Sequence, residues 1–334
     1  MNRSSDATCD TFYQFAELSG RLAEQQTTEM VSDDQSRQPS APKIKVSAVT
    51  GKISQLRISK SLIRQLIYKG DPYPVCPYNV YHTLLLKDIA LPESESMLKG
   101  LYFESKCIGS GAGGRVVDDL PRHKKTGAKL SDHERIDQAI QRFFLVVNAY
   151  GMIVDPQYTQ IYRKRLWNDP SGGYPVPVFL DGTLDFISPI TTSRYSFDVA
   201  TIDLKLTRDR TASEFITNGL YHPTPWGTPQ NMDFTEAMLY RVLFELPFIY
   251  LLFDYKKDDP GFRDIPITTD IHHKDPAKAA IAHQRMNQLY FTLRWVADSV
   301  LRWEHQHWPM EPNTLVCSKC PVSDCPKRME KTEV

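Results

Sequence analysis

The feature that most constrains this chain is a change of hydrophobic period midway along it. Up to about residue 150 the apolar residues recur at the three-and-four spacing of helices, and from residue 157 the pattern turns to alternation. Residues 157–167 alternate through Tyr158, Gln160, Tyr162 and Lys164. Residues 176–187 and 196–206 are further strands, rich in β-branched and aromatic side chains. A helix follows at 233–246, then an unbroken apolar run at 248–255 that reads as a central strand, a short edge strand at 265–269 and a long helix at 276–307. Strands in series between helical blocks imply an α/β/α core around a mixed sheet.

The helical half has its own punctuation. Ser59 is a plausible N-cap for a helix at 59–68, with Leu62, Ile63, Leu66 and Ile67 on one face. After an Asp-Pro-Tyr-Pro break, Cys76-Pro77-Tyr78 opens a helix to about Lys87, Pro77 suiting its first turn. A third helix spans 92–108, and Ser131-Asp132-His133-Glu134 is a capping box opening a fourth to about Tyr150.

Composition narrows the classes. The 334 residues are 41% hydrophobic and 24% charged, enough to bury a core. Lys plus Arg and Asp plus Glu are 40 each, so no whole-chain charge argues for nucleic acid. Residues 1–42, with three basic and seven acidic side chains, read as a disordered acidic arm; the folded domain is expected over 43–334. Six cysteines are too few for a disulfide scaffold. No apolar run approaches the roughly 18 residues of a spanning helix. The expectation is a soluble protein with no membrane partner, in a reducing compartment such as the cytoplasm.

Gly109-Ser-Gly111-Ala-Gly113-Gly114 satisfies G-x-G-x-x-G, but a helix precedes it and a basic loop follows, the wrong context for a dinucleotide fingerprint. A stronger constellation is dispersed. Asp181-Gly182-Thr183-Leu184-Asp185 lies on one strand and Asp203-Leu204-Lys205 on the next. Residues i and i+2 of a strand share a face, so Asp203 and Lys205 point together. With Asp185 alongside, two carboxylates and an ammonium form a hard oxygen site suited to Mg²⁺ or Mn²⁺. A solvated cross-strand ion pair is the bland alternative.

Glu104, on the helix upstream, completes the order helix-Glu, strand-Asp, strand-Asp-x-Lys. This order resembles the PD-(D/E)XK nuclease superfamily in its RecB-like branch, over about residues 76–325. The resemblance implies a three-layer, restriction-endonuclease-like core in which Glu104, Asp185 and Asp203 bind metal and Lys205 acts in catalysis. It also implies a role for the family's Gln-x-x-x-Tyr helix. Here Glu236-Ala-Met-Leu-Tyr240 stands there, so Tyr240 matches, Glu236 replaces the Gln, and Gln230 is a possible substitute. The family's Gly-x-x-x-His is absent; Gly100 is followed by Leu-Tyr-Phe103-Glu104.

Cys317-x2-Cys320-x4-Cys325 is a soft-metal clip one thiolate short of a tetrahedral site. RecB-like nucleases such as AddB and the CRISPR-associated adaptation exonucleases hold a [4Fe–4S] cluster on one cysteine before the core and three after it. The resemblance therefore assigns the fourth ligand to Cys76, with Zn²⁺ as runner-up and free thiols as a third reading. Cys107 reads as a small core residue. The basic loop with Arg115, Arg122, Lys124, Lys125 and Lys129, and Tyr221 and Trp226 in the 218–231 loop, are candidate phosphate and base contacts. The implied activity is a metal-dependent deoxyribonuclease in recombination, repair or end processing, acting on DNA, with a helicase or recombination protein as possible partner. A catalytically weakened DNA-binding subunit and a zinc-stapled interaction module are the alternatives.

Overall fold

In the computed structural model the described residues are 53–68, 71–72, 76–90, 95–111, 114–120, 122, 127, 132–170, 172–207, 235–255, 261–305, 307–310, 317 and 320–327. The expected arm at 1–42 and the 218–231 loop, with Gln230, lie outside them, as do Lys124, Lys125 and Lys129.

The elements are β1 (Leu56–Ser59), α1 (Lys60–Leu66), β2 (Ile67–Tyr68), β3 (Asp71–Pro72), α2 (Pro77–Val80, continued as a π-turn over Tyr81–Leu86), α3 (Glu95–Ile108) and α4 (His133–Ala149). They continue as β4 (Thr159–Leu166), β5 (Val178–Thr191), β6 (Ser196–Thr207), α5 (Thr235–Phe244), β7 (Phe248–Asp254), β8 (Phe262–Ile267) and α6 (Pro276–His305). Six strands form one mixed sheet in the order β1-β5-β6-β7-β8, with β4 pairing β5 as well. β2 and β3 make a separate small hairpin.

The run along β7 explains the layers. Phe248, Tyr250 and Leu252 pack into one core; Ile249, Leu251 and Phe253 pack into another. A strand covered on both faces must be apolar throughout, which is why this segment shows no alternation. The first core is closed by side chains of α1, α2, α5 and α6, the second by those of α3 and α4. This is a three-layer α/β/α arrangement, as the sequence pattern implied.

Several boundaries differ from the sequence expectation for physical reasons. The predicted helix at 59–68 is shorter, because Leu56–Ser59 is a strand beside β5 and Ile67–Tyr68 turns into the hairpin. Ser59 still caps it: its Oγ accepts the Leu62 N–H at 3.3 Å. The Asp132 side chain makes no cap bond to α4, and its carboxylate instead accepts from Lys99 of α3 at 2.6 Å; Ser131 lies outside the described residues. β5 runs past the expected end at Ile187 to Thr191, and Pro189 is accommodated where the β5–β6 register shifts between Ser188 and Ile190.

Candidate functional site

The candidate site lies where the sheet forks. β4 pairs with β5 over residues 179–186, along one edge. β1 pairs with β5 over 178–181 and β6 pairs with it over 186–191, so both must use the opposite edge. Neither ladder covers residues 182–185 on that edge. The gap ends at Asp185.

At this gap the alternation of β5 breaks. Leu184 packs in the α5/α6 core and Phe186 in the α3/α4 core, although residues two apart on a regular strand share a face. Asp185 lies between them. Its Oδ2 accepts the backbone N–H of Leu204 on β6 at 2.6 Å, in place of a ladder bond. Its Oδ1 faces Gln160 Nε2 at 3.4 Å. Gln160 sits between the β4 residues paired with Phe186 and Leu184, with a φ of 50°, a left-handed backbone uncommon outside glycine.

On β6, Ala200, Ile202 and Leu204 face the α3/α4 core, so Asp203 and Lys205 face α5. Lys205 Nζ ion-pairs with Asp203 Oδ2, as the Asp-x-Lys spacing implied, and stands 3.2 Å from Glu236 Oε1 on α5. Lys60, the first residue of α1, contacts the same Glu236 oxygen and lies 3.6 Å from Asp203 Oδ1. Tyr240, one turn beyond Glu236, donates its hydroxyl to the Thr183 carbonyl at 2.7 Å and stacks on Phe248. Gly182 makes room for it: a Cβ there would lie 3.2 Å from both Tyr240 and Leu243. That glycine receives helix α5.

The charges are unbalanced. Burial first, and then the like charges of Asp203 and Glu104, push the Asp185 carboxyl well above the usual carboxylate range; Lys205 and Lys60 offset part of this. Glu104 thus acts on Asp185 from α3, in the layer opposite α5. Burial opposes the charge on each lysine, yet Asp203 and Glu236 outweigh it and hold both ammoniums above the ordinary lysine range. Burial, then Asp203 and Glu236, raise the Tyr240 phenol, so it keeps the proton it donates to Thr183.

As arranged, no three His, Cys, Asp or Glu side chains among the described residues stand together as a metal-holding group. At the fork an ammonium faces each Asp203 oxygen. The donor chemistry nevertheless suits a hard cation. The ligand atoms are all oxygens, Asp203 and Glu104 bring like charge to Asp185, and Gln160 Oε1 is buried without a hydrogen-bond partner among the described residues.

The Gly-rich motif serves the same region structurally. A Cβ at Gly111 would lie 2.9 Å from Leu101 Cδ2 and 3.2 Å from Glu104 Oε2, so this glycine admits the loop against α3 beside Glu104.

Four cysteines approach one another beside α2 and the C-terminal segment, short of a metal-holding group as arranged. Cys76 precedes α2, where its Sγ lies 3.8 Å from the Pro309 carbonyl, and the Tyr78 N–H donates to that carbonyl at 3.1 Å. Cys320 N–H donates to Cys317 O at 3.3 Å. The Cys320 thiol is pushed up by burial and by the charges of Cys76, Cys317 and Cys325, against a backbone bond from Val322. All four thiols are free of disulfides. Cys107 is apart from them, buried in the α3/α4 core.

Sequence reasoning found Glu104, Asp185, Asp203, Lys205, Glu236 and Tyr240, and the structure brings them to one place. It missed Lys60, which resembled a solvated helix start, and Gln160, whose only signal was its position in the strand preceding the Asp185 strand. His283 and His307 are exposed. No helix among the described residues is long and apolar enough to cross a membrane.

No family model matches this chain, and no curated protein matches it. Among solved structures, the crystal structure of SSO0001 is similar over 95% of this chain and 98% of that chain, with 12% identity and a TM-score of 0.32, too slight a likeness to argue from.

Proposed function

We propose that the fork is the active site of a metal-dependent nuclease that hydrolyses DNA phosphodiester bonds, on a restriction-endonuclease-like core of the RecB-like type. One observation carries this reading. A buried acid, Asp185, is held by the Leu204 N–H of the neighbouring strand, with the like charges of Asp203 and Glu104 near it offset only in part by Lys205 and Lys60. Asp185, Asp203 and Glu104 would hold Mg²⁺ or Mn²⁺. Such an ion supplies a water of lowered pKa and polarises the phosphate oxygens.

The protein's own groups do the rest. Lys205 presents a fixed positive charge where negative charge develops on the phosphoryl oxygens. Glu236 holds both ammoniums in place, and Tyr240, fixed by Thr183, sets the position of α5 against the fork.

A [4Fe–4S] cluster, with Zn²⁺ as the runner-up, fits the approach of Cys76, Cys317 and Cys325 to Cys320, because soft thiolates suit such a group. The group would be structural, tying α2 to the C-terminal segment. A helicase or recombination protein as partner, and a role in repair or end processing, belong to this same reading.

The test is cleavage of end-labelled linear and circular DNA by the purified protein with Mg²⁺, with Mn²⁺ and with chelator. Metal-dependent cleavage that Asp185→Ala abolishes is expected; full activity in that variant overturns the assignment. A second reading, a DNA-binding subunit of weakened activity, is favoured by the ammonium at each Asp203 oxygen. DNA binding without cleavage in the same assay would select it. About four iron atoms per chain are expected if the cluster is bound, and zinc alone would correct that part.

A further inference from the structure

Three non-glycine residues among those described have a positive φ: Lys87, Gln160 and Glu245. Lys87 and Glu245 end helices, directly after Leu86 and Phe244, where a left-handed residue closes the last turn. Gln160 has no such reason. It is the second residue of β4, with a φ of 50°, and its neighbours Thr159 and Ile161 pair with Phe186 and Leu184 of β5. Along β4 the pairing skips only the position between them, Gln160 opposite Asp185. The strained residue and the acid at which β5 loses its alternation thus stand across from each other, and Gln160 Nε2 donates to Asp185 Oδ1 at 3.4 Å. Backbone held in a sparsely populated conformation clusters at functional positions.

Leu204 N–H donates to the other Asp185 oxygen, Oδ2, at 2.6 Å. Each carboxylate oxygen accepts through two lone pairs. Both oxygens are therefore held in direction by a donor and both keep a lone pair for a cation. Bonds of this kind orient a carboxylate that ligates metal. The far end of the Gln160 amide is unused, since Oε1 is buried without a hydrogen-bond partner among the described residues. A buried acceptor left in this state costs stability. A hard cation that keeps part of its water shell brings such an oxygen a donor.

We propose that Gln160 is a positioning residue of the metal site, whose Nε2 fixes the Asp185 carboxylate toward a divalent ion and whose Oε1 accepts a hydrogen bond from that ion's water. The inference rests on the metal-dependent nuclease reading above. It gives the left-handed backbone a role, because that conformation accompanies a side chain set against Asp185.

The experiment is Mn²⁺ binding to the full-length protein without DNA, by calorimetry, with Asp185→Ala identifying the ion bound at the fork and thermal melting in chelator run beside it. Gln160→Met keeps the length and removes the amide, and Gln160→Gly removes both the amide and the backbone strain. Both are expected to bind that ion about 10–100-fold more weakly. Leu204 still holds Oδ2 in either variant, so binding is weakened rather than abolished. Gln160→Gly should nevertheless melt no lower than the wild type in chelator, because the buried oxygen and the strained side chain go together. Wild-type affinity in either folded variant overturns this inference and leaves the nuclease reading standing. So does a Gln160→Gly protein that loses stability along with affinity, as a packing residue would. No Mn²⁺ that Asp185→Ala removes would overturn both.

Discussion

The fork and the cysteine corner are held by opposite means. In the fork each functional side chain springs from backbone that the fold has already fixed. Asp203 and Lys205 stand on β6 within its ladder to β7, Asp185 is tied to β6 through the Leu204 N–H, and Glu236 and Tyr240 ride on α5. In the corner Cys76 sits outside α2, and the described contacts between its segment and the C-terminal one include a single backbone bond, Tyr78 to Pro309. The fork is therefore preorganised before any ligand arrives. The corner brings together segments about 240 positions apart, and the proposed metal group would supply most of its strength.

The largest effect should come from breaking the corner. If the proposed cluster closes the corner, Cys76→Ser opens a loop of nearly the whole domain, and a cross-link of that length is worth about 5 kcal/mol. Denaturation with iron analysis should show loss of metal and a loss of this order, about the net stability of many domains. Full iron content in Cys76→Ser would mean that the corner uses another thiol.

Breaking the fork should instead leave the fold and remove the chemistry. Lys205→Ala is expected to lower cleavage by about 10²–10³-fold, with the protein still folded because Lys60 continues to face Asp203. Unchanged turnover would place the electrophile elsewhere.

Asp185 sharpens the contrast, since a preorganised charge site is paid for in stability. Its folded-state carboxyl lies above the ordinary value of about 3.9. The folded chain therefore binds its proton more tightly than the unfolded chain. The resulting stability is fully present below the unfolded value and is lost as pH rises through the raised folded value. Without divalent metal, Asp185→Asn should flatten that decline and be the more stable protein at neutral pH while cleaving nothing. Urea denaturation across this pH window in chelator checks it; an identical pH profile would show that Asp185 is not under strain. Added Mg²⁺ should stabilise the wild type and not the variant.

Smaller effects separate packing from ligation. Gly182→Ala should cost about 1–3 kcal/mol by crowding Tyr240 and Leu243, with partial loss of cleavage. Cys107→Ser should cost about 1 kcal/mol and no iron, measured by the same denaturation and metal analysis.

What was legible in the sequence was whatever depends on local pattern. β7 was plain because both its faces are apolar, and Asp203 with Lys205 because a strand repeats every two residues. β1 was hidden: its four residues bury only Leu56 and Ile58, and that short alternation merges into the helix that follows. Lys60 was hidden with it, because a lysine at a helix start becomes a site residue only when β1 is placed beside β5. The turn of Asp185 was equally unreadable, since it arises from the ends of two ladders rather than from any residue near it. Glu236 entered through the family resemblance, not through its own surroundings.

The placement of β1 also sets a timetable. Each of its residues pairs with one 122 positions later. At ribosomal speeds of about 5–20 residues per second, Leu56 and Ile58 wait about 6–24 s before their partner strand has been made. During that interval they remain wet and available to chaperones, and a chain interrupted before β5 has no edge on which to set them. Lys60 travels with them, so one of the earliest-made residues of the fork reaches its position only after the far side of the sheet has been synthesised.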